Sequence, residues 1–330
     1  MKKIFALLLS AALLVTLLAA CGGGTTTDTD TDAQEPAADA STTQVEEQEP
    51  DTGDASKDDP LNQDEIGEKE LLVVSFGTSY NDSRRETIGA IEKAMQTAFP
   101  DYSVRRAFTS QIIIDHVKDR DGVTIDNVEQ ALERAVNNGV KTLVVQPTHL
   151  MNGLEYEELT DELAKYSDSF EKIAIGDPLL TSDADFEAVM TAITDATKDA
   201  ADGKTAICFM GHGTTADSNS VYSKMQTLLT DKGFNDYYVG TVEATPSLDD
   251  VLAAVQKGNY EKVILRPLMI VAGDHANNDM AGDEDDSWKS TFEKAGYTVD
   301  CQVEGLGQLG AIQQLFVEHA KAAVASAEAE

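Results

Sequence analysis

From Leu71 onward the chain alternates short apolar runs with longer stretches of helical period. Leu71-Leu72-Val73-Val74 is the first run, and it leads into Ser75-Phe76-Gly77-Thr78-Ser79. Ile88, Ile91, Met95 and Phe99 then recur at spacings of three and four, and Pro100 closes that helix. The same reasoning predicts helices over 126–137, 155–166, 183–200, 219–232, 247–257 and 308–326. Buried strands are predicted over 140–145, 172–176, 205–210, 237–242 and 262–271. Continuous apolar strands alternating with amphipathic helices imply an α/β fold with parallel sheet covered on both faces.

Two pairs of segments carry one design twice. Leu72-Val73-Val74-Ser75-Phe76-Gly77-Thr78 has the form of Ile207-Cys208-Phe209-Met210-Gly211-His212-Gly213-Thr214, an apolar strand followed by a Gly-Thr turn. Val144-Val145-Gln146-Pro147 likewise matches Ile264-Leu265-Arg266-Pro267. The offsets, 136 and 120 residues, predict two similar lobes of ordinary domain size, 71–200 and 201–330. The last helix is expected to return to the N-terminal lobe. Ligands of open α/β sheets bind beyond the carboxyl ends of the strands, so the cleft between two such lobes is the expected site.

The first 70 residues have neither pattern. Residues 1–21 place Lys2 and Lys3 before an apolar stretch from Ile4 to Leu18, a secretory signal by its layout. Leu18-Ala19-Ala20-Cys21 resembles a bacterial lipobox, so Cys21 is the expected lipidation site, with the mature protein extracytoplasmic and lipid-anchored to the cell membrane. Residues 22–70 hold 16 acidic residues against Lys57 and Lys69 and have no hydrophobic period. That composition predicts a disordered, self-repelling tether.

Over the whole chain, 59 acidic residues face 25 basic ones, a formal net charge of −34. Such a balance excludes a nucleic-acid partner, which needs a basic surface. The three cysteines build no disulfide framework: Cys21 is accounted for, and Cys208 lies inside an apolar strand.

Three of the five histidines fall just past strand ends: His149, His212 and His275. His116 and His319 fit partly buried polar positions on helices. His212 lies between Gly211 and Gly213, which are expected to let backbone and imidazole approach a ligand closely. His275 lies in a loop whose Asp274, Asp279, Asp283, Glu284, Asp285 and Asp286 offer cation ligands or partners that orient the ring. Glu243 closes a buried strand, a place where carboxylates are rare unless employed. Two imidazoles and a carboxylate suit a divalent metal of intermediate softness, Co²⁺, Ni²⁺, Fe²⁺ or Zn²⁺. Spacings of 31 and 32 residues require the fold to assemble them. No nucleophile elbow, His-Glu-x-x-His or Walker sequence competes with this reading.

LLVVSFGTSYNDSRRETI, RRAFTSQIIIDHV, VVQPTHLMNGLEYEEL, FMGHGT, GTVEATPSLDDVL and RPLMIVAGDHANNDMAGDEDDSWK together carry a family resemblance. From Leu71 to about Val324 the chain resembles the class II tetrapyrrole chelatases, specifically the anaerobic sirohydrochlorin cobalt chelatases. The resemblance implies a chelatase-like fold, two α/β lobes with a cleft between them for a flat macrocycle. It implies His212 and His275 as catalytic, metal-binding histidines, and Glu243 as the metal-binding acid. Co²⁺ would be the substrate metal, with Ni²⁺ or Fe²⁺ as alternatives, and sirohydrochlorin or a related tetrapyrrole the partner. Thr78, Ser79, Tyr80 and His149 would line the substrate side, and Arg84, Arg85 or Arg106 would meet macrocycle carboxylates. A homo-oligomer is a further expectation. After Gly213, relatives carry another His-x-Ala stretch; here Thr215-Ala216-Asp217 stands in its place, so no accessory haem site is carried over. Export leaves a second reading beside the enzyme, an anchored lipoprotein that captures tetrapyrrole, haem or metal for a transporter.

Overall fold

The computed structural model describes residues 51–329. Cys21 and the signal segment lie outside the described residues. Among the described residues, no helix is long and apolar enough to cross a membrane.

Among the described residues, eight strands form two four-stranded parallel sheets of identical order. The first contains β1 (Lys69–Ser75), β2 (Ser103–Phe108), β3 (Thr142–Pro147) and β4 (Lys172–Ile175), arranged β2-β1-β3-β4. The second contains β5 (Thr205–Gly211), β6 (Tyr237–Thr241), β7 (Lys262–Pro267) and β8 (Thr298–Cys301), arranged β6-β5-β7-β8. Within the same described residues, ten α-helices cover the faces: α1 (Asn81–Glu86), α2 (Ile88–Ala98), α3 (Gln111–Asp121), α4 (Val128–Asn137), α5 (Leu154–Ala164), α6 (Asp183–Thr197), α7 (Ser220–Asp231), α8 (Leu248–Val255), α9 (Trp288–Lys294) and α10 (Gly310–Ala329). The duplication seen in the sequence is therefore a duplication of topology. Ser182 with Asp185, and Ser247 with Asp250, form reciprocal capping boxes that start α6 and α8.

The lobes share one core. Leu71 and Val73 of β1, Ile207 and Phe209 of β5, and Phe316 of α10 belong to the same buried cluster. Helix α10 packs on β3, β4 and α2 of the first sheet, while α6 lies against α7. Thr197 of α6 shares a hydrogen bond with Tyr237 of β6. Helix α6 thus touches both α10, which lies on the first sheet, and α7 of the second lobe, so it joins the two lobes.

Two strands escape an apolar-run reading. In β2, Arg105 and Arg106 interrupt the run, yet both are buried. Arg105 Nη2 donates to Asp126 Oδ2 at 2.9 Å, and Arg106 makes paired bonds to Glu92 and to Asp58. The other, β8, has only four residues at a sheet edge. The predicted strand 262–271 stops at Pro267, where Leu268 N turns to donate to Met210 O at 2.7 Å.

The expectation of a disordered tether as far as residue 70 is corrected over 51–70. Leu61 is buried in the shared core, and its carbonyl accepts from Arg106 N at 3.1 Å along the outer edge of β2. Asp58 accepts from Arg84 Nε and from Arg106 Nη1, each at 2.6 Å. Composition concealed this because the acidic residues that look solvated are matched by cations 26 to 48 positions away.

Glu70 of β1 is fully buried, neither carboxylate oxygen has a hydrogen-bond partner, and Arg105 Nη1 stands 3.6 Å away. Burial, only partly opposed by Arg105, pushes its acid up to about 7. A carboxyl raised this way favours the fold below its unfolded value, and that contribution is lost as pH rises toward 7. Glu70→Gln is expected to remove about 3 kcal/mol of pH-dependent stability between pH 4.5 and 7.5. Unfolding titrations across that range check it; equal pH slopes for the two proteins would refute the assignment.

Candidate metal and substrate site

The carboxyl ends of β5, β6 and β7 converge on one side of the second sheet. His212 follows β5 directly, Glu243 stands two residues beyond β6, and His275 ends the loop that leaves β7. Glu243 N donates to His212 O at 2.9 Å, which continues the β5–β6 ladder past the last strand residue. One ligand atom from each of His212, Glu243 and His275 lies within 4.8 Å of the others. A bonded tetrahedral set with ~2.1 Å bonds has its ligand atoms about 3.4 Å apart, so a modest closure of side chains suffices. The two imidazole centroids are 4.6 Å apart, with the rings at 75°.

Each imidazole is oriented from its far side. His212 Nδ1 lies 2.8 Å from Gly213 O, and His275 Nδ1 lies 2.7 Å from Asp279 Oδ2. Carbonyl and carboxylate only accept, so each Nδ1 donates and Nε2 is the nitrogen left to face a metal. Of the acidic residues around His275, Asp279 is the one that holds the ring, whereas Asp283 and Asp285 pair with Lys289 and Lys294. Glu243 is exposed rather than buried. The carboxylate stands free because it lies past the strand end and no lysine or arginine pairs with it among the described residues.

The glycines around His212 serve packing more than ligand approach. A Cβ on Gly211 would fall 2.1 Å from the Tyr222 ring. Gly213 has φ +89, and a Cβ there would strike Ala244. Tyr222 Oη accepts from Gly213 N at 3.3 Å. Asn219, which sequence reasoning missed, accepts from Thr214 N and donates to Thr245 O at 2.7 Å, joining the His212 turn to the Glu243 turn. An asparagine in a polar loop gives no signal of that reach.

The matching edge of the first lobe has the same backbone and different side chains. Ser110 N donates to Phe76 O as Glu243 N does to His212 O, and Thr109 N donates to Ser75 O as Val242 N does to Gly211 O. Phe76 is therefore the counterpart of His212, and Ser110 that of Glu243. Phe76 is 49% exposed, one of the few large apolar side chains so open to solvent.

The other expected substrate residues divide. Thr78 is buried against the loop of His275: a Cβ on Gly273 would sit 3.1 Å from Thr78 Oγ1. Ser83 Oγ accepts from Ala272 N at 3.0 Å in the same seam. Tyr80 is half-buried there, and burial, reinforced by the Asp274 charge, raises its phenol. Ser79 is held through its carbonyl by Arg120 Nη2 at 2.6 Å. His149, beyond β3, has both ring nitrogens buried without a partner, and burial pushes its imidazole down to about 4. It stays neutral and is not part of the metal cluster.

The expectation that Arg84 and Arg106 meet macrocycle carboxylates is corrected. Arg84 and Arg106 are no more than 1% exposed, and their guanidinium groups are used by Asp58, Glu92, Asn81 and the Thr78 carbonyl. Arg85 remains at the surface, paired with Asp82 and Glu86.

The family model for cobalt chelatase (CbiK) matches residues 69–325. The chain belongs to the cobalt chelatase family. A sirohydrochlorin cobaltochelatase from Salmonella typhimurium is 38% identical over 251 residues, covering 76% of this chain and 94% of the relative. The sirohydrochlorin cobaltochelatase CbiKC from Nitratidesulfovibrio vulgaris is 30% identical over 260 residues, covering 78% of this chain and 91% of its own length. Among solved structures, SirB from Bacillus subtilis with Fe³⁺ superposes with a TM-score of 0.57 at 14% identity, covering 80% of this chain and 98% of SirB. At that identity the likeness is one of fold. The α/β architecture of two parallel sheets flanked by helices is thus one that this chain shares with SirB.

Proposed function

We infer that this protein is a sirohydrochlorin cobaltochelatase, which inserts Co²⁺ into sirohydrochlorin and releases two protons, the step that commits the macrocycle to anaerobic cobalamin biosynthesis. The observation that carries the reading is the convergence of His212, Glu243 and His275 at one sheet edge, in a chain of this family.

The chemistry follows from the ligand set. Two imidazole Nε2 atoms and one carboxylate hold a divalent ion without closing its coordination sphere. As pyrrole nitrogens take the metal, each imidazole regains its lone pair and can accept the proton that leaves the ring. Asp279 compensates the charge when His275 is the acceptor. Glu243, unpaired with any cation, lowers the net charge of the bound ion. Phe76 and Tyr80 offer the flat macrocycle apolar and aromatic contact from the first lobe. Ni²⁺ or Fe²⁺ fits the same ligand types, so the metal taken in the cell follows supply as well as affinity.

Residues 1–21 support export, with Cys21 as the lipid-bearing residue. That location favours a second role, an anchored protein that binds tetrapyrrole, haem or metal for a transporter. The mature chain from Cys21 onward, mixed anaerobically with sirohydrochlorin and Co²⁺ and followed by absorbance, tests the choice. Turnover supports the chelatase. Stoichiometric tetrapyrrole or haem binding without turnover supports the carrier and overturns the enzyme.

A further inference from the structure

The family match begins at residue 69, yet residues 51–68 are also described, and this segment is fastened to the loop that packs against the His275 loop. We propose that residues 51–61 act as a strap that sets the position of the cleft loop Thr78–Asn81, with Asp58 as its positioning residue.

Three sets of contacts make the connection. At the near end, Thr52 O accepts from Asp82 N at 2.9 Å, and Gly53 O accepts from Asn81 Nδ2 at 3.1 Å. In the middle, Asp58 Oδ2 accepts from Arg84 Nε at 2.6 Å, and the same guanidinium reaches Thr78 O through Nη1 at 3.1 Å. Its remaining nitrogen, Nη2, donates to Asn81 Oδ1. Arg84 is thus a three-way clip whose third arm is supplied by the strap. At the far end, Asp58 also takes both terminal nitrogens of Arg106, and Leu61 is buried in the core. Burial alone would raise the Asp58 carboxyl, but Arg106 and Arg84 outweigh it and hold the group below the ordinary carboxylate range.

The clipped loop is the one that meets the His275 loop. Thr78 packs on Gly273, and Ser83, inside the same short helix as Arg84, accepts from Ala272 N. A strap that shifts this loop changes the width of the cleft without touching His212, Glu243 or His275. The consequence falls on macrocycle recognition, so the proposal rests on the chelatase reading.

Two variants separate positioning from bracing. Asp58→Asn removes the charge from the clip. Gly53→Ala leaves every buried charge in place, but a φ of +92 strains any residue with a Cβ, so the strap is expected to shift there even if the exposed Asp82 side chain swings aside. In the full-length protein, well below either unfolding midpoint, both variants are expected to raise KM for sirohydrochlorin about tenfold. Their kcat should change less than twofold, and Asp58→Glu should recover part of the loss. Hydrogen exchange is expected to quicken at the amides of residues 80–84 while β5–β7 stay protected. This second readout needs no turnover, so it judges the strap even if the chelatase reading fails. Unchanged exchange at 80–84 in both variants would overturn the proposal. Quickened exchange with an unchanged KM, in a wild-type protein that turns over, would reduce the strap to a brace and overturn it as well.

Discussion

Replacing His275 with alanine is expected to slow Co²⁺ insertion by roughly 10³-fold while leaving the fold intact, and His212→Ala is expected to do the same. Each variant removes one of only two imidazoles from a three-residue set, and with it a proton acceptor placed where the pyrrole protons leave. Neither ring supports the core. His212 is exposed and His275 half-exposed, and their hydrogen bonds go to a neighbouring carbonyl and to a half-exposed aspartate. Substitutions at such places usually move stability by no more than about 0.5 kcal/mol. Unfolding midpoints should therefore match the wild type, while Co²⁺ titrations lose the imidazole-dependent site. Single-turnover absorbance at saturating Co²⁺ then distinguishes a binding defect from a chemical one. A variant that binds Co²⁺ as well as the wild type and inserts it at the same rate would remove that residue from the mechanism. Glu243→Gln should be less severe, because the amide oxygen can still coordinate while the negative charge is lost.

The gathering of His212, Glu243 and His275 was legible because they sit where an α/β sheet presents its chemistry. His212, Glu243 and His275 each follow an apolar strand, and three such runs next to one another in a parallel sheet bring their ends together. The repeated Gly-Thr turns at Gly77 and Gly213 likewise announced two sheets of one topology. What escaped reading was every structure made by charge. Strand β2 contains two buried arginines, and a hydropathy pattern cannot know that Glu92, Asp58 and Asp126 will neutralise them. For the same reason Arg84 and Arg106 looked like substrate ligands and proved to be internal. The negative charge of residues 51–70 looked like solvated tether, though part of it is the counter-charge of that interior. Ion pairs between distant residues have no period, so they leave no trace until the chain is folded.

A chain that starts at Lys69, where both β1 and the family match begin, is expected to fold poorly or not at all, whereas one that starts at Asp51 folds like the full protein. Without residues 51–68, Arg106 keeps Glu92, while Arg84 loses the Asp58 carboxylate that ion-pairs with it and is left with the more distant charge of Asp121. Removing one member of a buried charge set costs about 3–5 kcal/mol, because the remaining charge keeps its desolvation penalty. Losing Leu61 from the core adds about 1.5–3 kcal/mol. Smaller losses follow at Asp64, which pairs with Arg134 at 2.8 Å, and at the open edge of β2, where Arg106 N loses the Leu61 carbonyl. Together these approach the whole of a typical domain's stability, about 5–15 kcal/mol. Asp58→Ala in the longer chain isolates the charge contribution and should lower stability by about 3–5 kcal/mol. Because the folded Asp58 carboxyl titrates below its unfolded value, that contribution is complete above pH ~4 and is lost as pH falls through the folded value. Denaturant unfolding at pH 7 and in acid, on the two lengths and the variant, measures all three effects. Equal stability of the chains starting at 51 and 69 would show that the arginines find other partners and that the strap is dispensable to the fold.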